Sequence, residues 1–258
     1  MELVRNLNER LLAEMPQYCE QAANFGNGYD EQRRLLRSLM NVRPPLAAAD
    51  DFLQMQDELL SGETVERGIV RVADLPTVKK NERIALWQGD ITRLDADAIV
   101  NAANERMLGC FVPCHDCIDN VIHSAAGVQL RLECAEIMQR QGGAEPTGSA
   151  KITEGYNLPC QKVIHTVGPI VYGELTEENC RQLADCYRSC LALAAENGLH
   201  TIAICCISTG VFHFPNAEAA KIALRTTEEF LSENDTLNKV IFNVYKDQDW
   251  QIYDNLLK

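Results

Sequence analysis

After Asn81 the chain alternates short apolar runs with helix-like stretches, and that alternation restricts the fold more than any other feature. The runs are RIALWQG, AIVNAA, KVIHTVG, TIAICCIS and KVIFNV, and helical patterning returns near 120–140, 176–196, 215–232 and 247–257. Such alternation predicts a sheet, parallel at least in its centre, with helices on both faces. The preceding stretch, from about Met1 to Val72, is different. Apolar residues there recur at three- and four-residue steps in ERLLAEM, EQRRLLRSLM and DDFLQMQDELL, a helical period. Pro44-Pro45 interrupts that pattern, and Ala49–Asp51 offers a start for its third helix. This segment reads as packing on the core or shaping a pocket rim.

Composition narrows the function classes. With 258 residues and 46% hydrophobic content, the chain can bury one α/β core and carry an appended segment. A formal net charge of −13 argues against a sequence-independent nucleic-acid binder, which needs a basic face. No apolar run approaches the roughly 18–20 residues of a spanning helix, and MELVRNLNER lacks the order of a secretory signal. Eleven cysteines are scattered through expected strands and helices rather than spaced as a disulfide framework. The chain reads as a soluble protein of a reducing cytoplasm.

The segment from Ile99 to Val128 carries most of the chemistry. Cys110, His115 and Cys117 fall within eight positions of a loop between an apolar strand and a helix. Two thiols and an imidazole are the donor set that zinc prefers, at about 2.0–2.3 Å. Three protein ligands leave a coordination position open, and Asp119 and Asn120 follow at once. A closed structural site of four ligands is the competing reading. Cys114 is a candidate to replace Cys110, although its adjacency to His115 makes ligation by both awkward. The remaining cysteines read as buried small hydrophobes. His123 and His165 read as core or pocket-wall residues.

Ligands of open α/β sheets bind outside the carboxyl ends of the strands. Asp90-Ile91-Thr92 follows the first run, Asn101 and Asn104 close the second, and Gly168-Pro169 closes the third. Ser208-Thr209-Gly210-Val211-Phe212 follows the fourth, just before a helix that opens near Pro215. A small-residue loop feeding a helix N-terminus binds anions through free N–H groups and the helix dipole, with no Arg or Lys required. Asp90, Asn101 and Asn104 also have a plain reading, as caps of local turns.

The blocks QGDIT (Gln88–Thr92), IVNAAN (Ile99–Asn104), DNVIHSAAG (Asp119–Gly127), VIHTVGP (Val163–Pro169) and ISTGVFHFP (Ile207–Pro215) together resemble the macrodomain family, in the family's order and spacing. The resemblance implies a three-layer α/β/α fold with a central mixed sheet over 76–258, preceded by an N-terminal helical extension over 1–75. Where hydrolytic macrodomains carry a run of glycines, this chain has Gly109 to Ile118 with its cysteines and histidine, which resembles the zinc-containing microbial branch. That branch is associated with removal of mono-ADP-ribose from proteins, beside a sirtuin-like transferase and a lipoyl-carrier protein. Carried over, Asp90 and Ile91 hold the adenine and Ser208 to Phe212 wrap the diphosphate. Asn104 holds the distal ribose, Asn101 is a further ADP-ribose-binding residue, and Asn243 lies near the adenosine. Asp119 and Asn104 are the catalytic residues, and Cys110, His115 and Cys117 hold one Zn²⁺ per chain. Cleavage at the anomeric carbon develops oxocarbenium character, which Asp119 meets as a base toward water or by steadying the charge. The alternatives are an ADP-ribose reader with structural zinc, and a hydrolase of a small derivative such as O-acetyl-ADP-ribose.

Overall fold

The computed structural model describes all residues from Met1 to Lys258. Its centre is a seven-stranded sheet: β1 (Thr77–Val78), β2 (Asn81–Gln88), β3 (Ala98–Ala103), β4 (Ala150–Glu154), β5 (Lys162–Val167), β6 (Thr201–Ile204) and β7 (Lys239–Val244). The strand order is β1-β2-β7-β6-β3-β5-β4. β2, β7, β6, β3 and β5 are mutually parallel, and β1 and β4 add antiparallel edges. The five parallel strands are the five apolar runs. Ile99, Val163, Ile202 and Val240 are fully buried beside their neighbours Val100, Ile164, Ala203 and Ile241, as covered faces on both sides of a parallel sheet require. β1 is two residues long, and β4 is a half-exposed edge strand without an apolar run, so neither announces itself in the sequence.

Helices α5 (Ile118–Ala126) and α6 (Val128–Gln141) connect β3 toward β4 and β5, at one end of the sheet. Helices α7 (Glu177–Glu196) and α8 (Asn216–Glu233) lead the other way, from β5 to β6 and from β6 to β7, and α9 (Asp247–Leu257) packs on α8. Right-handed crossovers running in opposite directions lie on opposite faces, giving three layers. The direction reverses between β3 and β6, which pair only at Ala98–Ile202 and Ile99–Ala203. Their ladder ends there, at the switch point outside which open α/β sheets take ligands.

The first residues form α1 (Glu2–Glu14), a short α2 (Cys19–Ala22), α3 (Tyr29–Val42) and α4 (Asp50–Arg67), one helix more than the sequence pattern predicts. They share an apolar cluster of their own, including Leu7, Leu11, Leu36, Leu39, Phe52 and Leu60, to which the rest of the chain contributes Val128. α3 and α4 both lie against α5.

The helix expected over 120–140 is instead two helices, and the reason is local. Gly127 adopts φ +100° and ψ 176°, a conformation that side chains resist. Gln56 of α4 fills the space beside it. The Gln56 Oε1 accepts from the Val128 N–H at 2.9 Å, and the Gln56 Nε2 donates to Gln129 Oε1 at 2.7 Å. An Ala Cβ at 127 would fall 2.6 Å from that nitrogen. Gly127→Ala is therefore expected to destabilise the fold by about 1–3 kcal/mol, lowering Tm by several degrees. Gly143→Ala, whose Cβ meets nothing within 4 Å, is the control in the same thermal melts.

Candidate active site

Asp119 occupies the first turn of α5, against the carboxyl end of β3. Its side chain is almost wholly buried and held from both sides. Asn101 Nδ2, on β3, donates to Oδ1 at 2.8 Å, and Asn104 Nδ2 donates to Oδ2 at 3.2 Å. Burial pushes the carboxyl up to about 6, while the two amides and the Arg131 guanidinium pull the other way. The result is an ionisable carboxylate held in one orientation, with a helix N-terminus behind it.

The loop before α5 brings the three expected ligands together. The donor atoms of Cys110, His115 and Cys117 all lie within 4.8 Å of one another, and Cys110 Sγ is 3.5 Å from His115 Nδ1. Tetrahedral ligands at zinc distances sit about 3.6 Å apart, so the trio fits one ion. Cys117 is the N-cap of α5, its Sγ accepting from the Asn120 N–H at 3.4 Å. Burial, with Cys110 beside it, pushes the Cys117 thiol up to about 12, a charge deficit that a divalent cation would reverse. Cys114 turns away toward α3, with its Sγ 3.2 Å from Ser38 Oγ. A second convergent group, His123, Cys134 and His165, lies deeper. Both ring nitrogens of His165 are engaged there, Nδ1 by Asn101 at 3.1 Å and Nε2 by Thr153 Oγ1 at 2.9 Å. Burial lowers both histidines far below their usual range, so the 3.5 Å contact of His123 with Asp119 joins a neutral ring to the carboxylate. His165 is thus a hydrogen-bonded core residue, whereas His123 is buried with neither ring nitrogen hydrogen-bonded.

Along the carboxyl edge the remaining candidates follow the strand order. Ser208, after β6, is buried with φ +64°, and Gly168 at the end of β5 lies so near that a Cβ there would fall 2.0 Å from Ser208 Oγ. In the turn that follows, His213 N–H returns to Gly210 and Phe214 N–H to Ser208. The N–H groups of Gly210, Val211 and Phe212 have no partner within the chain, which leaves a row of donors before α8. Asp90, after β2, caps the 3₁₀ turn Ile91–Arg93 by accepting from Thr92 N–H at 3.0 Å. Its other oxygen accepts from Arg67 Nη1 of α4 at 3.2 Å. Asn243, at the end of β7, is buried and donates to Gly89 O at 2.9 Å, steadying the corner before Asp90. Asn101, expected at a ligand, has no exposed surface and serves Asp119 instead.

Three residues that the sequence reading passed over hold the loop. Arg131 of α6 is buried, donates to Leu108 O at 2.7 Å and lies 4.3 Å from the Phe111 ring. Arg37 and Asn41 of α3 bond to His115 O and Cys114 N–H. A basic residue inside an apolar helical stretch, as in VQLRLECAEI, was the available signal for Arg131.

A Macro domain family model matches residues 100–223. A protein-ADP-ribose hydrolase of Treponema medium is 53% identical over 253 residues, covering 97% of this chain and 96% of that one. The chain belongs to the macrodomain family. A probable bifunctional ADP-ribose hydrolase/ADP-ribosyltransferase of Fusarium oxysporum f. sp. cubense is 42% identical, matched over 86% of this chain and 40% of its own length. Among solved structures, a Trypanosoma brucei macrodomain in complex with ADP-ribose superposes with a TM-score of 0.67 at 32% identity, covering 86% of this chain and 95% of that one. The three-layer fold expected from the sequence is the macrodomain fold.

Proposed function

We propose that this chain is a hydrolase that releases mono-ADP-ribose from modified proteins, using zinc held by Cys110, His115 and Cys117. The observation that carries this reading is Asp119, a buried ionisable carboxylate fixed by Asn101 and Asn104 beside three convergent metal donors. A module that only binds ADP-ribose requires neither the acid nor the donors. The names of the relatives and the ligand of the trypanosomal macrodomain support the same substrate class.

The site elements lie in an order that suits an elongated nucleotide. From β2 to β3 is three strand spacings, roughly 14 Å. Asp90 at one end accepts the adenine amino group beside Ile91. The free amides of Gly210 to Phe212, in the loop Ser208–Phe212, take the diphosphate in the middle. Asn104 and Asp119 receive the distal ribose at the other end. There Asp119 draws a proton from the attacking water or steadies the positive charge growing on the sugar, while its two asparagines prevent it from turning away. Zinc, when bound, supplies a Lewis acid that orients the ribose hydroxyls, polarises the scissile linkage or lowers the pKa of a water to about 7.

In the same reading, residues 1–75 form a helical extension and 76–258 the macrodomain. A lipoyl-carrier protein modified by a sirtuin-like transferase is one candidate substrate, and the Fusarium relative's name joins an ADP-ribose hydrolase to an ADP-ribosyltransferase. The eleven free cysteines suit a reducing cytoplasm, and no helix is long and apolar enough to cross a membrane.

Release of free ADP-ribose from a mono-ADP-ribosylated protein is expected to vanish when the chain is stripped of zinc and to return when zinc is restored. Undiminished release after stripping contradicts the metal role. Asp119→Ala is expected to lower turnover by about 10²–10⁴-fold with ADP-ribose affinity within about threefold by calorimetry. Wild-type turnover in that variant would sink the assignment.

A further inference from the structure

We infer that Arg37, on α3, is a positioning residue that locks the metal loop against α5, an inference that rests on the metal reading above. Its Nη2 donates to two acceptors that belong to different parts of the site: the His115 carbonyl at 2.8 Å and Asn120 Oδ1 at 3.0 Å. Asn120 is fully buried, and its Nδ2 donates onward to Val112 O at 2.9 Å and Cys110 O at 3.4 Å. One guanidinium thus ties the backbone of His115 to the backbone beside Cys110 through a single amide side chain. Arg33 of α3 and Arg67 of α4 are paired with Glu63 and Asp90, whereas Arg37 spends its charge on carbonyl oxygens.

The next turn of α3 completes the hold. Cys114 adopts φ +53°, a left-handed conformation that an L side chain resists, and its N–H donates to Asn41 Oδ1 at 2.8 Å. The turn at Cys114 sends the chain back so that His115 faces Cys110. Backbone held from outside the loop at 114 and 115 fixes where the imidazole stands relative to the two thiols. Loosening it changes the metal geometry and leaves the distant Asp90 corner and the Ser208 loop untouched. That separation distinguishes positioning from general stability.

The test compares the full-length wild type with Arg37→Met and Arg37→Lys. Three quantities are read: the rate of zinc transfer to a chelator, kcat and KM for ADP-ribose release, and hydrogen exchange peptide by peptide. Arg37→Met is expected to lose zinc at least tenfold faster and to lower kcat at least tenfold. ADP-ribose affinity should stay within threefold, with faster exchange confined to 110–117. Arg37→Lys, whose ammonium reaches one of the two acceptors, should fall between. Zinc transfer and kcat within twofold of wild type overturn the proposal, as does faster exchange spread evenly over the sheet. A wild type that holds no zinc refutes the metal reading instead. Exchange at 110–117 then still decides the clamp, and an unaltered loop in Arg37→Met refutes it.

Discussion

The stretch from Asn104 to Cys117 has no helix or strand of its own, and the site depends on how its backbone polar groups find partners. They find them on three helices. Asn120 of α5 takes two loop carbonyls, Arg131 of α6 takes Leu108, and α3 takes His115 and Cys114. Charge-assisted bonds from arginine to a carbonyl are stronger than neutral ones, which suits a loop that must hold three ligands still. The N-terminal helices are therefore part of the site's construction. They cap α6 through Gln56 and reach Asp90 through Arg67.

In the proposed reading, the diphosphate is taken by the free amides of Gly210, Val211 and Phe212 before α8, partial charges fixed by the backbone that suit a chain of net charge −13. At the other end, burial raises the Asp119 pKa while two amide donors keep the carboxylate aimed. Gly168 allows β5 to pass close enough to seat Ser208 between the two ends.

The parallel strands were legible because both of their faces are covered, which writes each as an unbroken apolar run. The same rule hid β1 and β4, edge strands that need no such run. Helix α6 was merged with α5 because Gly127 looks like a tolerated glycine until Gln56, 71 positions earlier, is found beside it. At the site, the convergence of Cys110, His115 and Cys117 was readable from spacing, since one loop carries all three. Asn101 was assigned to a ligand because it stands beside Asn104 in one block. Both side chains reach the Asp119 carboxylate, but Asn101 lies within β3 with no exposed surface, whereas Asn104 stands past the strand's end and is only partly buried. Arg37 and Arg131 stabilise the loop from far away in sequence, and no local pattern encodes a partner at that distance.

In the proposed reading one ion, held by Cys110, His115 and Cys117, faces the distal ribose beside Asp119. The most direct measurement is a crystal structure of the Asp119→Ala chain with ADP-ribose, with data collected at the zinc absorption edge. One anomalous peak per chain is expected among Cys110, His115 and Cys117, with the distal ribose next to it and the diphosphate on the amides of Gly210 to Phe212. A peak closed off by a fourth protein ligand, or an ADP-ribose whose distal ribose lies away from the trio, would contradict it.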